Sequence, residues 1–239
     1  MKQALILGCS HAAGSEISSD DQYNYTHSFP VHIAKSLGYQ PLNHAIPGGS
    51  NDAIFRIFER ELETLDYNDI VIACWTGCNR SEMYHDTDQQ WLTLNTGQQG
   101  WLKTIDNDTV LEGMPKLVEG KNFYETINHL NEYQQYLKSW IMYGVCDAAG
   151  RTNKIKNIIA LNFLASSKNI KVINIDSFDP VPDCPALKQF NWVDLIFLDW
   201  CLENKFQHTE SLHFYEDAHL AFSNRIIELG VAPYGGLYK

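Results

Sequence analysis

A serine follows the first apolar run of this 239-residue sequence, in the stretch "LILGCSHAAG". The hydroxyl of Ser10 is a weak nucleophile at neutral pH until an imidazole removes its proton and a carboxylate orients that imidazole. A serine at such a place is also an ordinary helix N-cap, which needs no chemistry. Nucleophilic catalysis therefore requires a base, a carboxylate and oxyanion donors elsewhere in the chain.

Candidate bases and carboxylates lie near the other end of the sequence, in "QHTESLHFYEDAHLAF". This stretch contains two E-x-x-H motifs, Glu210 with His213 and Glu216 with His219. His213 precedes the last predicted helix, whereas His219 falls within it, beside apolar positions. Because a loop histidine reaches an active site more readily than one on a packed helix, we predict that His213 is the base.

Two turns that follow predicted strands carry candidate oxyanion donors. They are "NHAIPGGSN" (residues 43–51) and "WTGCNRS" (residues 75–81). A small residue lets backbone N–H groups approach an oxyanion, and an asparagine side chain offers a further donor. The carboxyl ends of parallel strands meet at one edge of a sheet. We therefore expect both turns to lie beside Ser10.

The C-terminal stretch also admits a zinc site, because imidazole and carboxylate groups are zinc ligands. Its spacing is H-x-E-x-x-H, which lacks the helical i, i+4 histidine pair of H-E-x-x-H. The zinc hypothesis is therefore the weaker one. Its candidate ligands are His208, Glu210, His213 and His219.

Apolar runs alternate with amphipathic segments along the chain, as in proteins with a parallel sheet covered on both faces. The run 192–200 fits either a helix or a buried strand. Strands are predicted at residues 4–8, 41–49, 69–77 and 170–176, and helices at 29–37, 50–65, 154–165 and 215–229.

The pattern breaks after the third strand, where residues 81–150 form a predicted insertion within a single domain that spans residues 1–239. A segment of this length inside a compact domain is usually a lid or a binding excursion. A helix is predicted within it at residues 124–143. Its aromatic side chains either anchor the segment to the core or cover the cleft, where they suit a sugar ring; they include Tyr84, Trp91 and Trp101.

Composition excludes several classes of partner. The formal net charge of -11 argues against nucleic acid and anionic membrane surfaces, which call for basic proteins. A hydrophobic fraction of 44% indicates a globular chain, yet no segment approaches the roughly 20 apolar residues of a membrane span. Six cysteines without a C-x-x-C pair are read as free thiols, and no secretion signal is evident, so we expect a cytoplasmic protein.

Four short blocks, in order, resemble the motifs of the SGNH (GDSL-type) hydrolases. Residues 8–10 resemble the family's G-D-S, and residues 43–50 resemble N-x-x-x-x-G-x-[ST]. Residues 77–80 resemble G-x-N-D, and residues 210–213 resemble D-x-x-H. The sequence departs from the family's pattern at three positions where the family has Asp, which here are Cys9, Arg80 and Glu210.

The resemblance implies a three-layer α/β/α sandwich with a central parallel, flavodoxin-like sheet. It also implies a serine ester hydrolase with Ser10 as nucleophile and His213 as base. Glu210 would orient the imidazole, although its extra methylene makes a Ser–His dyad the cautious description. The implied oxyanion donors are the Ser10 and Gly48 backbone N–H groups and the Asn79 side chain.

No metal or organic cofactor is implied by this mechanism. The expected substrate is a small-molecule or carbohydrate ester with a short acyl group, and O-acetylated carbohydrate is the leading candidate. The alternative is a binding or structural protein on the same scaffold whose site has decayed, since three positions of the family's motifs are altered.

Overall fold

Strands and helices alternate along the part of the chain that this computed structural model describes, residues 2–86, 89–95, 136, 139–140, 144, 146–180 and 183–230. A 3₁₀ turn at Pro185–Leu187 precedes the last strand. In chain order the elements are β1 (Gln3–Leu7), α1 (Ser10–Ala13), α2 (Asp21–His27), α3 (Phe29–Ser36), β2 (Gln40–Asn43), α4 (Asn51–Glu61), β3 (Ile70–Trp75), β4 (Arg80–His85), β5 (Gln90–Asn95), α5 (Asp147–Ser167), β6 (Lys171–Asp176), β7 (Trp192–Ile196), α6 (Phe197–Glu203) and α7 (Glu216–Glu228).

Five of these strands form the central sheet, in the order β2-β1-β3-β6-β7, and every neighbouring pair is parallel. This is the doubly wound order of flavodoxin-like folds. One face packs against α3, α6 and α7, and the other packs against α4 and α5. The predicted three-layer α/β/α sandwich is therefore confirmed.

The central strand β3 shows why its sequence reads as one apolar run. All six of its residues are buried. Ile70, Ile72 and Cys74 face one hydrophobic cluster, and the alternate residues face the other. Because side chains alternate between the two faces of a strand, a sheet covered on both sides needs apolar residues at every position.

Several elements differ from the sequence-based predictions. The ambiguous run 192–200 contains both alternatives, because strand β7 passes directly into helix α6. The helix predicted at 154–165 already begins at Asp147. Helices α1 and α2 and the antiparallel β4–β5 hairpin were not predicted. Trp101 and most of the helix predicted at 124–143 lie outside the described residues.

The described ranges contain no helix with the length and apolar character that crossing a membrane requires. All six cysteines are free thiols. Cys9, Cys74 and Cys201 are buried, and burial raises the pKa of the Cys74 thiol well above its ordinary value. These three thiols pack as small apolar side chains in the core.

A buried ion pair ties helix α5 to the carboxyl end of β6. The side chain of Lys154 is fully buried, and its Nζ lies 2.9 Å from Asp176 Oδ1. The same ammonium donates a hydrogen bond of 2.9 Å to the Asp179 carbonyl oxygen. Removing one partner of a buried pair strands the other charge, which costs more than the pair itself contributes.

We expect Lys154→Met to lower the free energy of unfolding by about 3–5 kcal/mol, because Asp176 is then buried without its cation. Lys168→Met is the matched control, since Lys168 pairs with Glu63 at 2.8 Å on the surface. The control should lose no more than about 1 kcal/mol. Urea denaturation measures both, and similar losses would contradict this account of Lys154.

A second buried polar contact joins α7 to α3. His219 Nδ1 accepts a hydrogen bond of 3.1 Å from the Phe29 backbone N–H, and the imidazole packs against Phe29 and Phe197. Burial, with smaller contributions from the charges of His32 and His213, lowers the pKa of His219 to about 3. His219 is therefore a neutral core residue.

The variant His219→Asn still offers an acceptor to Phe29 but does not titrate. In the wild type the folded pKa of about 3 lies below the ordinary value of 6.5, so the unfolded chain binds more protons between these values and stability falls as the pH falls. Between pH 7 and pH 5 the wild type should lose about 2 kcal/mol more than the variant. Urea unfolding at both pH values tests this, and equal losses would argue against it.

Candidate active site

Ser10 is the first residue of α1, at the carboxyl end of β1. The N-cap of this helix is Cys9, so the interpretation of Ser10 as the N-cap is wrong. Ser10 is 6% exposed. The chain turns sharply after β1, and this turn requires glycine at position 8. A Cβ there would lie only 2.5 Å from Ala12 Cβ and 2.9 Å from Cys74 Cβ.

The turn after β2 lies directly beside this serine. Ile46 donates a backbone hydrogen bond of 3.0 Å to the Gly8 carbonyl, and Gly49 donates one of 2.8 Å to Ile46. Gly48 has φ 76, a left-handed conformation that favours glycine. The Gly48–Gly49 turn is therefore held against the end of β1, as the sequence predicted.

The turn after β3, which carries Asn79, is held in place by hydrogen bonds to the side chains of Asn51 and Asp179. The sequence analysis did not single out either residue for the site. Asn51 accepts a hydrogen bond of 3.0 Å from the Thr76 N–H and donates to the Thr76 and Gly77 carbonyls. Asp179 accepts a hydrogen bond of 3.0 Å from the Cys78 N–H. These contacts fix the backbone that presents Asn79 at the same edge.

His213 closes a tight turn at residues 209–213. Thr209 donates its backbone N–H to the His213 carbonyl at 2.8 Å, and the His213 N–H donates to Thr209 Oγ1 at 3.3 Å. Leu212 adopts φ 59. Its carbonyl oxygen lies 3.1 Å from Nε2 of His11, the residue after Ser10. The 209–213 turn therefore rests on the start of α1.

Ser10 and His213 are brought to one edge by these contacts. The ring centroids of His11 and His213 are 5.5 Å apart. The described residues form no direct hydrogen bond between Ser10 Oγ and the imidazole. Catalytic hydrogen bonds are often long in unliganded enzymes and tighten when substrate binds.

Three stacked side chains, those of His11, Phe178 and Arg80, pack beside the 209–213 turn. His11 stacks on Phe178 with ring centroids 4.2 Å apart, and the Arg80 guanidinium lies 4.6 Å from the Phe178 ring centroid. Burial lowers the pKa of His11 well below its ordinary value, and the charge of His213 lowers it further. A neutral imidazole facing the Leu212 carbonyl must carry its proton on Nε2.

Among the described residues, the carboxylate nearest the His213 imidazole is that of Glu16, which the sequence analysis did not single out. Glu16 Oε2 lies 3.2 Å from His213 Nδ1. The N–H direction is not aligned with that oxygen, and Nδ1 makes no well-directed hydrogen bond within the described part of the chain. Glu210 is exposed on the 209–213 turn. No E-x-x-H spacing could have identified Glu16, because it lies at the other end of the sequence.

The electrostatics of the site leave the His213 imidazole neutral. Burial lowers the pKa of His213, the Glu16 carboxylate raises it, and Arg80 lowers it, so the net shift is downward. Burial raises the pKa of Glu16, but the Thr209 hydroxyl, His213 and the Ser211 hydroxyl lower it, and the net shift is also downward. At neutral pH the imidazole is therefore uncharged and the carboxylate ionised.

The four candidate zinc ligands do not converge in this structure. His219 Nδ1 is occupied by the Phe29 N–H, and His208 Nδ1 lies 2.8 Å from the Thr209 carbonyl oxygen. Among the described residues, no three or more His, Cys, Asp or Glu side chains are arranged to hold a metal ion. The zinc hypothesis draws no support from this geometry.

The β4–β5 hairpin carries an aromatic pair near the Gly48 turn. Tyr84 and Trp91 are 41% and 40% exposed, with ring centroids 5.3 Å apart. Arg56 covers one face of Trp91 at 4.8 Å. Thr93 shares the hairpin face with Trp91, because alternate strand residues point the same way. Thr93 Oγ1 lies 3.9 Å from the position of a Cβ at Gly48.

Cavities in the described part of the molecule include a smaller one beside Asn79 and a larger one along β7. A cavity of about 280 Å³ is bordered by Asn79, Arg80 and Trp140. A larger one of about 790 Å³ lies along β7 and is lined by Leu187, Trp192 and neighbouring residues. Neither lining includes Ser10 or His213, and of these two cavities only the smaller one borders a predicted site residue, Asn79.

Solved structures of other proteins are similar to this chain. A member of the lipolytic G-D-S-L family from Veillonella parvula matches with a TM-score of 0.50 and 12% identity, over 96% of this chain and 98% of that one. The YXIM protein of Bacillus subtilis matches with a TM-score of 0.53 and 10% identity, over 98% of this chain and 58% of that one. The psychrotrophic esterase EstA from Pseudoalteromonas sp. matches with a TM-score of 0.48 and 11% identity, over 97% of both chains. No protein-family model and no curated protein matches the sequence.

At such low identity, these similarities concern the path of the backbone and not the chemistry of individual side chains. The five-stranded sheet order, the helices on both faces and the coverage of nearly the whole chain agree with them. The chain has the fold of the SGNH (GDSL-type) hydrolases.

Proposed function

We propose that this protein is a serine-type carboxylic ester hydrolase that acts on short acyl esters. The observation that carries the proposal is the contact between His11 and the 209–213 turn. This contact brings His213, the histidine of that turn, beside the residue that follows Ser10. The glycine turn after β2 and the Asn79 turn after β3 lie at the same edge.

In the proposed reaction, His213 accepts the Ser10 proton while Ser10 Oγ attacks the ester carbonyl carbon. The oxyanion is held by the backbone N–H groups of Ser10 and Gly48 and by the Asn79 side-chain amide. His213 then gives its proton to the departing alkoxide. Water, deprotonated by the same imidazole, hydrolyses the acyl-enzyme and restores Ser10.

Two features support a small substrate. The cavity beside Asn79, a proposed oxyanion donor, measures about 280 Å³, which leaves little room for a long acyl chain. The exposed pair Tyr84 and Trp91 provides flat apolar surface for a ring on the alcohol side. We therefore propose O-acetylated carbohydrate as the leading substrate class. The six free thiols suit a reducing compartment such as the cytoplasm.

The second candidate is a binding protein on this scaffold without catalysis. It is favoured by the lack of a direct Ser10–His213 hydrogen bond in the described residues and by Cys9 and Arg80 at positions where the family has Asp. Covalent labelling separates the two, because a fluorophosphonate reacts only with an activated serine.

We expect Ser10→Ala to abolish both hydrolysis of p-nitrophenyl acetate and labelling by a fluorophosphonate, since the nucleophilic oxygen is removed. The exposed Ser166 of α5 supplies the matched control, and Ser166→Ala should retain both. Hydrolysis by Ser10→Ala at the wild-type rate would refute the proposed function.

Asn79→Ala should lower kcat about 100- to 1,000-fold, which corresponds to about 2.7–4 kcal/mol of lost oxyanion stabilisation. KM should change little, because the lost hydrogen bond forms mainly in the transition state. Asn204→Ala, at the end of α6, is the control. A decrease confined to KM would instead make Asn79 a substrate-binding residue.

A further inference from the structure

We infer that Glu16 is the positioning carboxylate of this site and that it supplies, from the start of the chain, the group that the E-x-x-H motif assigns to Glu210. The inference rests on the proposed function, since Glu16 acts through His213. Glu16 does not touch the reacting atoms and is therefore a positioning residue.

The first support is the distance between the two groups. Glu16 Oε2 lies 3.2 Å from His213 Nδ1, on the opposite side of the imidazole ring from Nε2, the nitrogen that serves Ser10 in the proposed reaction. Nδ1 makes no well-directed hydrogen bond to this oxygen, but a negative charge 3.2 Å away favours the tautomer with its proton on that nitrogen. Nε2 is then unprotonated and can accept the Ser10 proton.

The second support is the backbone that delivers Glu16 to this place. Gly14, the C-cap of helix α1, has φ 77, and Glu16 itself has φ 65. A left-handed conformation is uncommon for a residue with a Cβ and is retained where the surrounding structure requires it. Here the chain reverses directly after α1, and the carboxylate meets the 209–213 turn.

The third support is Thr209, which fixes the base and the carboxylate together. Its hydroxyl donates a hydrogen bond to Glu16 Oε2 and accepts one of 3.3 Å from the His213 N–H. The Ser211 hydroxyl also helps to lower the pKa of the Glu16 carboxylate. The Thr209 hydroxyl therefore holds a carboxylate that is distant in sequence, whereas Glu210 of the same turn forms no ion pair with His213 within the described residues.

Charge balance gives Glu16 its function during the reaction. When His213 accepts the Ser10 proton it becomes an imidazolium, and the ionised Glu16 stabilises that charge without taking the proton. The other charged or titratable groups that face His213 are His11, Arg80 and His219. Among these groups Glu16 is the only anion.

The test compares Glu16→Gln with Glu210→Gln, using p-nitrophenyl acetate. We expect Glu16→Gln to lower kcat about 100-fold with KM nearly unchanged. The acidic limb of its pH–activity profile should also lie at lower pH than in the wild type, because loss of the Glu16 charge lowers the pKa of His213. Glu16→Asp should recover part of the activity. The exposed Glu63 supplies the matched control, and Glu63→Gln should behave as the wild type.

A second readout is independent of hydrolysis. In an NMR titration, the His213 resonance, assigned by its loss in His213→Ala, should titrate at lower pH in Glu16→Gln and unchanged in Glu210→Gln. A larger effect of Glu210→Gln in either experiment, or an unmoved His213 titration in Glu16→Gln, overturns the inference while the hydrolase proposal stands. Full hydrolysis by Ser10→Ala, in contrast, refutes the hydrolase proposal itself.

Discussion

One buried imidazole joins the two ends of the chain at the carboxyl edge of the sheet. His11 follows Ser10, donates through Nε2 to the Leu212 carbonyl and stacks on Phe178. Its burial keeps it neutral, so it supports the 209–213 turn without adding a cation beside His213. The contacts that connect the 209–213 turn, which carries the candidate base, to the start of the chain include this hydrogen bond and the pairing of Glu16 with His213.

Histidines of this protein differ in function because their surroundings differ. His219 is a fully buried acceptor for the Phe29 N–H and is held neutral by desolvation. His213 is also partly desolvated, yet Glu16 offsets part of that effect, and its side chain remains 15% exposed. A proton acceptor needs both access and a pKa near the working pH. Of the two imidazoles in E-x-x-H motifs, only His213 has access.

The apolar runs and the glycine turns were predictable because each is a local requirement. A strand buried on both faces needs continuous apolar residues, as in β3, and the turn at Gly8 excludes a Cβ. The hairpin β4–β5 could not be predicted from its mixed composition, because its stability depends on packing against α4, including the Arg56 pair with Glu82. The start of α5 before residue 154 likewise makes a tertiary contact, since Asn153 donates a hydrogen bond of 2.8 Å to Asp52 of α4.

The sequence by itself determined the alternation of strands and helices and the three turns that carry Ser10, Gly48 and Asn79, and it led to the prediction of His213 rather than His219 as the base. Hydrophobic periodicity and the small residues of turns each involve only a few neighbouring positions, so both can be recognised in the sequence itself. Only the tertiary structure decided which carboxylate stands beside His213. Glu16 and His213 are separated by nearly the whole chain, and their approach depends on the left-handed backbone after α1 and on the seating of the 209–213 turn on His11.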